Sequence, residues 1–226
     1  MSVSVAAIIL AAGSGSRMQL DITKQQIVLN GETVLHRSVR IFNECEDVDS
    51  ITVVAREDEL DFALEEVKGF EKVKAVVVGG KTRAKSSRAG FLSVSGADYV
   101  AIHDAARCLV TTDIISKVIN DAKKYGAATA SSVVTDTVKR VDADGKISAT
   151  IDRNVLRTVQ TPQVFLADLY AKALSLVSLD DDSITDDNSL LEKIGVYSYC
   201  TDTGKTNIKI TTIEDLSIAR FLLNGD

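Results

Sequence analysis

The fold can be predicted from VAAIILAAGSGSRMQ, residues 5–19, which lies near the start of the chain. The first eight of these residues are apolar without interruption, which indicates a strand buried on both faces, as in the middle of a parallel sheet. A loop bent by glycines follows at once, and such a loop lets backbone N–H groups approach a ligand closely. The stretch therefore predicts an α/β protein with a loop at the end of its first strand that could bind a ligand.

Apolar and amphipathic runs alternate along most of the remaining chain. This alternation is typical of βαβ units that build a Rossmann-like, mainly parallel sheet with helices on both faces. No repeat, low-complexity tract or linker interrupts residues 1–226, so we predict a single domain. The further predicted strands are residues 50–55, 73–80, 98–107, 127–134 and one near 207–211, and the predicted helices are residues 34–45, 58–67, 82–95, 114–125, 166–177, 185–194 and the end of the chain.

Residues 137–160 break this alternation and are predicted to form a protruding β-arm. The segment holds two short β-like runs around the turn sequence DADG, with many charges and few large apolar side chains. A two-stranded ribbon is only marginally stable on its own in water. We therefore expect the β-arm to pack on another surface, and a partner subunit in a homodimer is the natural candidate.

The glycine loop fits neither of the two common phosphate-binding fingerprints. The dinucleotide pattern G-x-G-x-x-G needs a third glycine where Met18 stands, and Arg56 follows the next strand, where an NAD site usually has an acid. The P-loop pattern is absent as well. Arg17 and Lys24 add positive charge, which suits a triphosphate whose pyrophosphate must leave. The stretch alone is equally consistent with a strand–helix turn whose basic residues face solvent.

Polar clusters follow other predicted strands. GGKTRAKSSRAG (79–90) and HDAAR (103–107) each stand at a strand end, and DRN (152–154), QTPQVF (160–165) and NIKIT (207–211) come later. Ligands of open α/β sheets bind beyond the carboxyl ends of the strands. We therefore expect the strand-end clusters to converge on one site.

Composition limits the partners and the compartment. The net charge of −6 disfavours a general nucleic-acid binder, which usually has a basic surplus, but a small phosphorylated ligand needs only a local basic cluster. No apolar run reaches the roughly 20 residues that span a bilayer, and no basic leader precedes the first strand, so no membrane partner is expected. Cys45, Cys108 and Cys200 form no C-x-x-C pair, so we expect reduced thiols and a cytoplasmic setting.

Eight motifs, spread in order over nearly the whole chain, resemble those of one family. They are LAAG-x-G-x-R-M, K-Q, G-G-x-x-R-x-x-S, H-D-A-A-R, D-T-V-K-R, D-R-N, Q-T-P-Q and N-I-K-I-T. Together they resemble the 2-C-methyl-D-erythritol 4-phosphate cytidylyltransferases of non-mevalonate isoprenoid synthesis. The resemblance implies a nucleotidyltransferase fold and the transfer of CMP from CTP to 2-C-methyl-D-erythritol 4-phosphate. The implied products are 4-diphosphocytidyl-2-C-methyl-D-erythritol and pyrophosphate, and the implied cofactor is Mg²⁺.

The resemblance also implies roles for individual residues. Arg17 and Lys24 would hold the triphosphate and stabilise the departing pyrophosphate, and Lys209 would lie at the reacting phosphate, so these three are the implied catalytic residues. The residues implied to bind the nucleotide are Ala11, Ala12, Gly13, Gly15, Gly80, Lys81 and Ser86. The residues implied to bind the acceptor are Asp104, Arg107, Thr137 and Arg153, of which the last two would come from the β-arm of the partner subunit. The motifs do not specify the metal ligands.

Three positions depart from the family pattern. Thr23 stands where the family usually has a proline before the motif lysine, Cys108 stands where a proline usually follows HDAAR, and Lys81 replaces a small or acidic residue. We expect a looser loop at Thr23, with the lysine retained. His103 is interpreted as a structural residue at a strand end, and the acidic run at 185–187 as a solvated segment that caps a helix.

Alternative functions stay open at this stage. A cytidylyltransferase for another polyol phosphate, such as ribitol 5-phosphate, is a near alternative, because the acceptor pocket is not fixed by sequence. A catalytically silent nucleotide-binding regulator is disfavoured by the retained cations Arg17, Lys24 and Lys209. An NAD oxidoreductase is disfavoured by Met18 and Arg56.

Overall fold

Seven strands form the central sheet in the residues described by the computed structural model, which are 3–13 and 22–224. In their order across the sheet the strands are β11 (Tyr199–Asp202), β7 (Ala127–Val133), β10 (Arg157–Leu166), β6 (Tyr99–Asp104), β1 (Val5–Leu10), β4 (Ser50–Ala55) and β5 (Val73–Val78). β10 runs antiparallel to both of its neighbours, and every other pair in this sheet is parallel. The predicted mainly parallel sheet is therefore confirmed.

Helices cover both faces of this sheet, as predicted. They are α1 (Val34–Glu44), α2 (Leu60–Glu66), α3 (Arg83–Leu92), α4 (Thr112–Tyr125), α5 (Ala167–Leu176), α6 (Asp187–Glu192) and α7 (Ile213–Asn224). Side chains from α1, α2 and α4, such as Phe42 and Ile115, share one buried cluster with Ile9 of β1. Side chains from α3, α5 and α6, such as Tyr170, share another with Ile8. Neighbouring strand residues point to opposite faces, so β1 is buried on both.

Close packing of α3 on the sheet depends on a glycine. A β-carbon at Gly90 would stand 2.4 Å from Cγ2 of Ile8 and 2.8 Å from Cγ2 of Val54, so the helix would have to move outward to accept any side chain there. None of the helices in the described ranges is long and apolar enough to cross a membrane.

Two short ribbons lie outside the central sheet. β2 (Val28–Leu29) pairs with β3 (Glu32–Thr33), and β8 (Val138–Val141) pairs with β9 (Ile147–Ile151). Gly145, with a φ of 81°, closes the DADG turn between β8 and β9 in a conformation that favours glycine. Most residues of the β8–β9 ribbon are exposed.

Two predicted boundaries need correction. The prediction of a strand near residues 207–211 is wrong. The last strand of the chain in the described residues is β11, and residues 207–211 do not pair with any strand. Ile210 N–H donates instead to Ala106 C=O at 2.8 Å, which holds this segment across the strand ends. The predicted β-arm is also too long, since residues 157–159 already pair with β7. They belong to β10, whose later residues Val164 and Phe165 fill the buried clusters on opposite faces of the sheet.

The parallel strands all direct their carboxyl ends to the same edge of the sheet. β1, β5 and β6 end there at Leu10, Val78 and Asp104. The loops that follow these strands contain the polar clusters identified in the sequence. This edge is where an open α/β sheet binds its ligands.

Candidate active site

A cavity of about 330 Å³, called here the first cavity, opens at the carboxyl ends of β1, β5 and β6. A cavity of this size can hold a small ligand. The lining residues are Leu10, Ala12, Gly13, Lys24, Gln25, Gly80, Lys81, Thr82, Arg83, Ser86, Asp104, Ala106 and Lys209. They come from the loops after β1, β5 and β6, from a turn before β2 and from the segment before α7.

The loop between β5 and α3 presents backbone groups to the first cavity. A β-carbon at Gly79 would stand 2.6 Å from Cβ of Ala12, so this loop approaches β1 more closely than any side chain would permit. Gly80 N–H donates to Ser86 Oγ at 3.1 Å, and Ser86 Oγ donates to Thr82 C=O at 3.0 Å. Ser86 therefore fixes the loop against the first turn of α3.

Lys24 stands on a turn beside the first cavity. Gln26 N–H donates to Thr23 C=O at 3.0 Å, which makes Lys24 and Gln25 the central residues of a β-turn. Gln25 is buried, whereas Lys24 is half-buried. A β-carbon at Gly13 would stand 3.4 Å from Lys24 Nζ. The ammonium group therefore lies against the loop that follows β1.

A second cavity, of about 250 Å³, adjoins the first on the side of β10. Its lining residues are Arg83, Asp104, Arg107, Val159, Gln160, Thr161, Gln163, Thr185, Asp186 and Lys209. Arg83, Asp104 and Lys209 line both cavities. The two cavities therefore meet at these three charged side chains, which we call the junction.

Asp104 forms ion pairs with both cations of the junction. Its Oδ1 accepts a hydrogen bond from Arg83 Nε at 3.1 Å, and its Oδ2 accepts one from Lys209 Nζ at 2.7 Å. Burial alone would raise the pKa of Asp104, but the charges of Arg83, Lys209 and Arg107 outweigh burial and hold that pKa well below its usual range. Asp104 is therefore a carboxylate at neutral pH and cannot donate a proton there.

Arg83 connects α3 to α6 through a second carboxylate. Its Nη1 donates to Oδ2 of Asp187, and the hydroxyl of Tyr170 donates to Oδ1 of Asp187 at 2.6 Å. Burial would lower the pKa of Arg83, but Asp187 and Asp104 raise it above the usual range. Burial raises the pKa of Tyr170, and Asp187 raises it further. Both groups keep their protons, so Arg83 is a fixed cation between two carboxylates.

The backbone of Asp104 is held by a buried pair of side chains. Its N–H donates to Thr161 Oγ1 at 3.0 Å, and that hydroxyl lies 3.0 Å from His103 Nδ1. His103 is fully buried and packs against Phe42. Burial lowers the pKa of His103 to about 3, so the ring is neutral at neutral pH. The predicted structural role of His103 is confirmed.

Arg107 reaches the second cavity from the loop after β6. Its Nη1 donates to Asn207 C=O at 2.9 Å, and the buried Asn207 side chain donates to Gln160 Oε1 at 3.1 Å and to Thr161 C=O at 2.8 Å. Burial lowers the pKa of Arg107, Asp104 opposes that shift, and Arg83 adds to it. A guanidinium stays protonated at neutral pH even so, and Arg107 therefore adds positive charge to the second cavity.

The site is suited to ligands that carry phosphate and bring their own nucleophile. Burial raises the pKa of the Cys108 thiol to about 11, and His103 is neutral and fully buried, so neither acts as a nucleophile or base. Cations at the junction and on the Lys24 turn can instead stabilise negative charge on phosphoryl oxygens. The arrangement therefore favours phosphoryl-type transfer between ligands in adjoining cavities.

Known proteins share this sequence pattern and this fold. The family model described as 2-C-methyl-D-erythritol 4-phosphate cytidylyltransferase matches residues 5–225. The chain belongs to this cytidylyltransferase family. A curated relative of that name from Symbiobacterium thermophilum is 42% identical over 227 residues, which cover 100% of this chain and 95% of the relative. Another from Lachnospira eligens is 39% identical over 224 residues, which cover 97% and 99%.

A solved structure supports the same assignment. The crystal structure of 4-diphosphocytidyl-2C-methyl-D-erythritol synthase from Anaerococcus prevotii matches with a TM-score of 0.86 at 28% sequence identity. The match covers 98% of this chain and 96% of that chain. The nucleotidyltransferase fold expected from the cytidylyltransferase motifs is therefore confirmed.

Most residues that the cytidylyltransferase motifs single out lie at the two cavities. Those at the first cavity are Ala12, Gly13, Lys24, Gly80, Lys81, Ser86, Asp104 and Lys209. Arg107 lies at the second cavity, with Asp104 and Lys209. Ala11 lines neither cavity, because it is buried and its N–H donates to Val54 C=O at 2.7 Å.

The remaining motif residues lie elsewhere. Gly15 and Arg17 fall outside the described residues. Thr137 and Arg153 are exposed and line neither cavity, and the Arg153 guanidinium donates to Thr135 C=O. The structure therefore brings the motif residues of the strand ends together and leaves the two residues beside the β8–β9 ribbon apart from them.

The sequence motifs indicate no individual role for Arg83, and the run at 185–187 indicates only helix capping for Asp186 and Asp187. Arg83 is the arginine of the G-G-x-x-R-x-x-S motif, so the motif itself indicates that Arg83 belongs with the site residues. Asp186 caps α6 by accepting Ser189 N–H at 2.9 Å, as expected for the run at 185–187. The expectation that this run is solvated is wrong for Asp187, which is 2% exposed and pairs with Arg83, 104 positions away in sequence.

The donor set at the first cavity fits a magnesium ion that is held mainly by substrate phosphates. The described residues contain no cluster of three or more side chains able to ligate a metal. Asp104 is the one carboxylate among the described residues that line the first cavity. Mg²⁺ commonly binds one or two carboxylates together with substrate phosphates and water. Asp104 fits that role, since each carboxylate oxygen has lone pairs beyond the one used by its ion pair.

Proposed function

We propose that this chain transfers CMP from CTP to 2-C-methyl-D-erythritol 4-phosphate in non-mevalonate isoprenoid biosynthesis. The products are 4-diphosphocytidyl-2-C-methyl-D-erythritol and pyrophosphate. The observation that supports this most strongly is the junction, where two cavities meet at Arg83, Asp104 and Lys209. CTP takes the first cavity and the polyol phosphate takes the second, so that the two phosphates approach each other beside Lys209.

Recognition of CTP belongs to the loops after β1 and β5. Backbone groups near Gly80, held by Ser86, hydrogen-bond the edge of the cytosine that carries the 4-amino group. UTP has a carbonyl at that position and would leave a backbone group without its partner, which favours CTP. The other residues given to the nucleotide in this proposal are Ala11, Ala12, Gly13, Gly15 and Lys81.

In the proposed mechanism the acceptor brings its own nucleophile. A phosphate oxygen of the polyol phosphate attacks the α-phosphorus of CTP, and a new phosphorus–oxygen bond forms. The bond from the α-phosphorus to the bridging oxygen of pyrophosphate breaks, and its electron pair leaves with pyrophosphate. No proton has to be removed, because the acceptor phosphate is already an anion. Catalysis is therefore positioning and electrostatic stabilisation.

The cations of the chain perform that stabilisation. Lys209 lies at the reacting phosphate, while Arg17 and Lys24 hold the departing pyrophosphate. Asp104 and Arg107 orient the acceptor in the second cavity. When bound, Mg²⁺ neutralises charge on the phosphate oxygens, and Asp104 is the residue that would hold it.

A homodimer is the functional unit in this proposal. Thr137 and Arg153 of one subunit reach the acceptor phosphate in the second cavity of the other. Large exposed apolar side chains on and beside the β8–β9 ribbon support a covered surface there, among them Val141, Ile147 and Val155. A cytoplasmic setting is also part of the proposal, supported by three cysteines that form no disulfide.

A pyrophosphate-release assay with the purified protein tests the proposal. Release is expected with CTP, Mg²⁺ and 2-C-methyl-D-erythritol 4-phosphate, and CTP should exceed UTP in kcat/KM by about tenfold or more. A preference for ribitol 5-phosphate would instead support the cytidylyltransferase for another polyol phosphate. Binding of CTP without release from any acceptor would support a silent regulator and contradict the proposal.

A further inference from the structure

Thr23, the residue before Lys24, makes two hydrogen bonds that the proline usual in the family could not make. Its N–H donates to Gln26 Oε1 at 3.2 Å, and its hydroxyl donates to Oε1 of Glu59. Proline has neither an N–H nor a hydroxyl. The looser loop expected at Thr23 is therefore not what the contacts indicate, because this residue is tied both within the turn and to another part of the fold.

Glu59 is well suited to anchor that turn. It lies at the end of a 3-10 turn, Glu57–Glu59, which leads directly into α2, and it is only 6% exposed. Its Oε2 lies 4.0 Å from Nε of Arg56, the residue that follows β4. A buried carboxylate needs hydrogen-bond and charge partners, and the Thr23 hydroxyl and Arg56 supply them from two sides.

Arg56 itself is fixed by a neighbouring carboxylate. Its Nε and Nη2 donate to the two oxygens of Asp58, at 2.8 and 2.6 Å. Arg56, at the strand end where an NAD site would hold a ribose, thus contacts both Asp58 and Glu59. Glu59 in turn accepts the hydrogen bond from Thr23, so these contacts connect the end of β4 to the turn that carries Lys24.

The turn is anchored on both sides of Lys24. Leu35 N–H donates to Gln25 C=O at 3.2 Å and Val34 N–H donates to Ile27 C=O at 2.9 Å, both on the C-terminal side. The contact between Thr23 and Glu59 lies on the N-terminal side. A lysine side chain has several rotatable bonds, so the placement of its ammonium group depends on a fixed backbone.

We infer that Thr23 and Glu59 are positioning residues, whose hydrogen bond fixes the turn so that the Lys24 ammonium stays at the first cavity, ready for a triphosphate. The inference rests on the proposed function, because it assigns Lys24 to the phosphates of CTP. It assigns to this chain a hydroxyl–carboxylate anchor where the family usually has a rigid proline ring.

Thr23→Val tests the anchor, because it removes the hydroxyl and keeps the branched shape. The expected result is a fall of about tenfold in kcat/KM for CTP, the size of effect that follows from losing one hydrogen bond to a charged group. The KM for the polyol phosphate should not change. Thr23→Ser keeps the hydroxyl and should restore most of the rate, and Glu59→Ala should reproduce the defect of Thr23→Val.

A double-mutant comparison separates positioning from damage to the fold. If Thr23 acts through Lys24, adding Thr23→Val to Lys24→Ala should lower kcat/KM no further. Thr201→Val is the matched control, because the buried Thr201 hydroxyl donates to Asp121 Oδ2 at 2.6 Å, between β11 and α4. That control should leave kcat/KM for CTP unchanged. Equal losses from Thr23→Val with and without Lys24 would overturn the inference, as would full activity of Thr23→Val.

Two further readouts need no turnover. Hydrogen exchange at the Gln26 amide, which closes the turn, should accelerate in ligand-free Thr23→Val but not in Thr201→Val. The affinity for CTP, measured by calorimetry, should weaken about tenfold in Thr23→Val and show the same non-additivity with Lys24→Ala. A wild-type protein that binds CTP without releasing pyrophosphate would contradict the proposed function only, and the affinities would still decide the anchor. If both the exchange rate of the Gln26 amide and the affinity for CTP were unchanged in Thr23→Val, the inference would be overturned.

Discussion

The charged residues of the junction are paired and at least partly buried, whereas those beside the β8–β9 ribbon are exposed. At the junction, Asp104 is 8% exposed and its two oxygens accept hydrogen bonds of 3.1 and 2.7 Å from Arg83 and Lys209. Beside the ribbon, Thr137 and Arg153 are exposed and outside both cavities. The fold of one chain therefore holds the junction in place before any ligand arrives, whereas the role proposed for Arg153 requires a partner subunit to bring it to an active site.

This difference indicates how the proposed reaction is divided. Cations fixed in a partly buried site need little reorganisation when charge develops on a phosphate, which is how electrostatic catalysis is most effective. An exposed arginine has little effect until a ligand phosphate accepts its paired N–H groups. Substitutions at the junction should therefore affect stability and turnover, and substitutions beside the ribbon should affect acceptor binding.

The largest effect is expected from Asp187→Ala, which removes the buried carboxylate behind the junction. Arg83 and Tyr170 would each lose a buried partner, so the free energy of unfolding should fall by about 3–5 kcal/mol. Denaturant titration measures this. Asp180→Ala is the control, because the Asp180 carboxylate that pairs with Lys85 is 76% exposed, and its removal should change stability little. Similar small changes in both variants would mean that the junction is not held by its buried pairs.

Lys24→Ala should be next in size. Loss of a preorganised donor to the departing pyrophosphate lowers kcat by about 10²–10³-fold. The melting temperature should stay close to that of the wild type, because Lys24 is half-buried on a turn outside the main core. Lys68→Ala, at an exposed lysine beyond α2, is the control for loss of one positive charge. Near-normal turnover of Lys24→Ala in the pyrophosphate-release assay would refute the role given to it.

Arg153→Ala should act on the acceptor alone. The KM for the polyol phosphate should rise by about tenfold or more, the effect expected from losing a charge-assisted contact to phosphate. The KM for CTP should stay the same. Lys146→Ala, at the exposed turn of the same ribbon, controls for a general change of charge there. A rise in the KM for CTP of equal size would contradict the division between the two regions.

The last effect is on stability and not on turnover, and it concerns the pH dependence of the core beneath the junction. Burial lowers the pKa of His103 to about 3, so the unfolded chain takes up a proton at this residue between about pH 6.5 and pH 3 that the folded chain does not. The stabilisation that comes from keeping His103 neutral is therefore fully present above about pH 6.5. Below that pH the free energy of unfolding falls by about 1.4 kcal/mol per pH unit. The stabilising contribution of Asp104 is complete above its unfolded pKa of about 3.9 and is lost only as pH falls below that value, because its folded pKa is lower still.

Denaturant titrations between about pH 6.5 and pH 5 isolate the histidine contribution. His103→Asn does not titrate there, so its stability should fall less steeply with pH than that of the wild type, whatever its absolute stability. Parallel profiles for the two proteins would show that His103 is not the group responsible.

The elements of the sheet were predictable because their signals are local. β4 lies at the predicted residues 50–55, where consecutive β-branched residues, Ile51 to Val54, favour a strand. The strand predicted at 207–211 failed because Ile208 and Ile210 flank Lys209 in an alternation that a strand and an extended segment share. The cavity-lining residues after β1, β5 and β6 followed from the rule that parallel strands end at one edge.

The rest of the site depends on contacts that no local pattern contains. The pairing of Arg83 with Asp187 joins helices far apart in sequence, and the two aspartates at 186 and 187 look alike until the fold buries one of them. The hydrogen bond from Thr23 to Glu59 likewise joins two turns that are 36 positions apart, the second of which leads into α2. The roles of Thr137 and Arg153 rest on the family resemblance alone, because no local pattern distinguishes these two residues from the other exposed residues around them.

Mixed dimers of Arg153→Ala and Lys24→Ala subunits test the central claim most directly. If each β8–β9 ribbon completes the partner's site, a mixed dimer contains one site with both defects and one site with neither. At acceptor concentrations well below the wild-type KM, where both parent variants are strongly impaired, equal mixing should restore about a quarter of the wild-type activity, since about half of the dimers are mixed and each has one intact site. Verified mixed dimers no more active under these conditions than the average of the two parent variants, or a fully active monomer, would contradict the account.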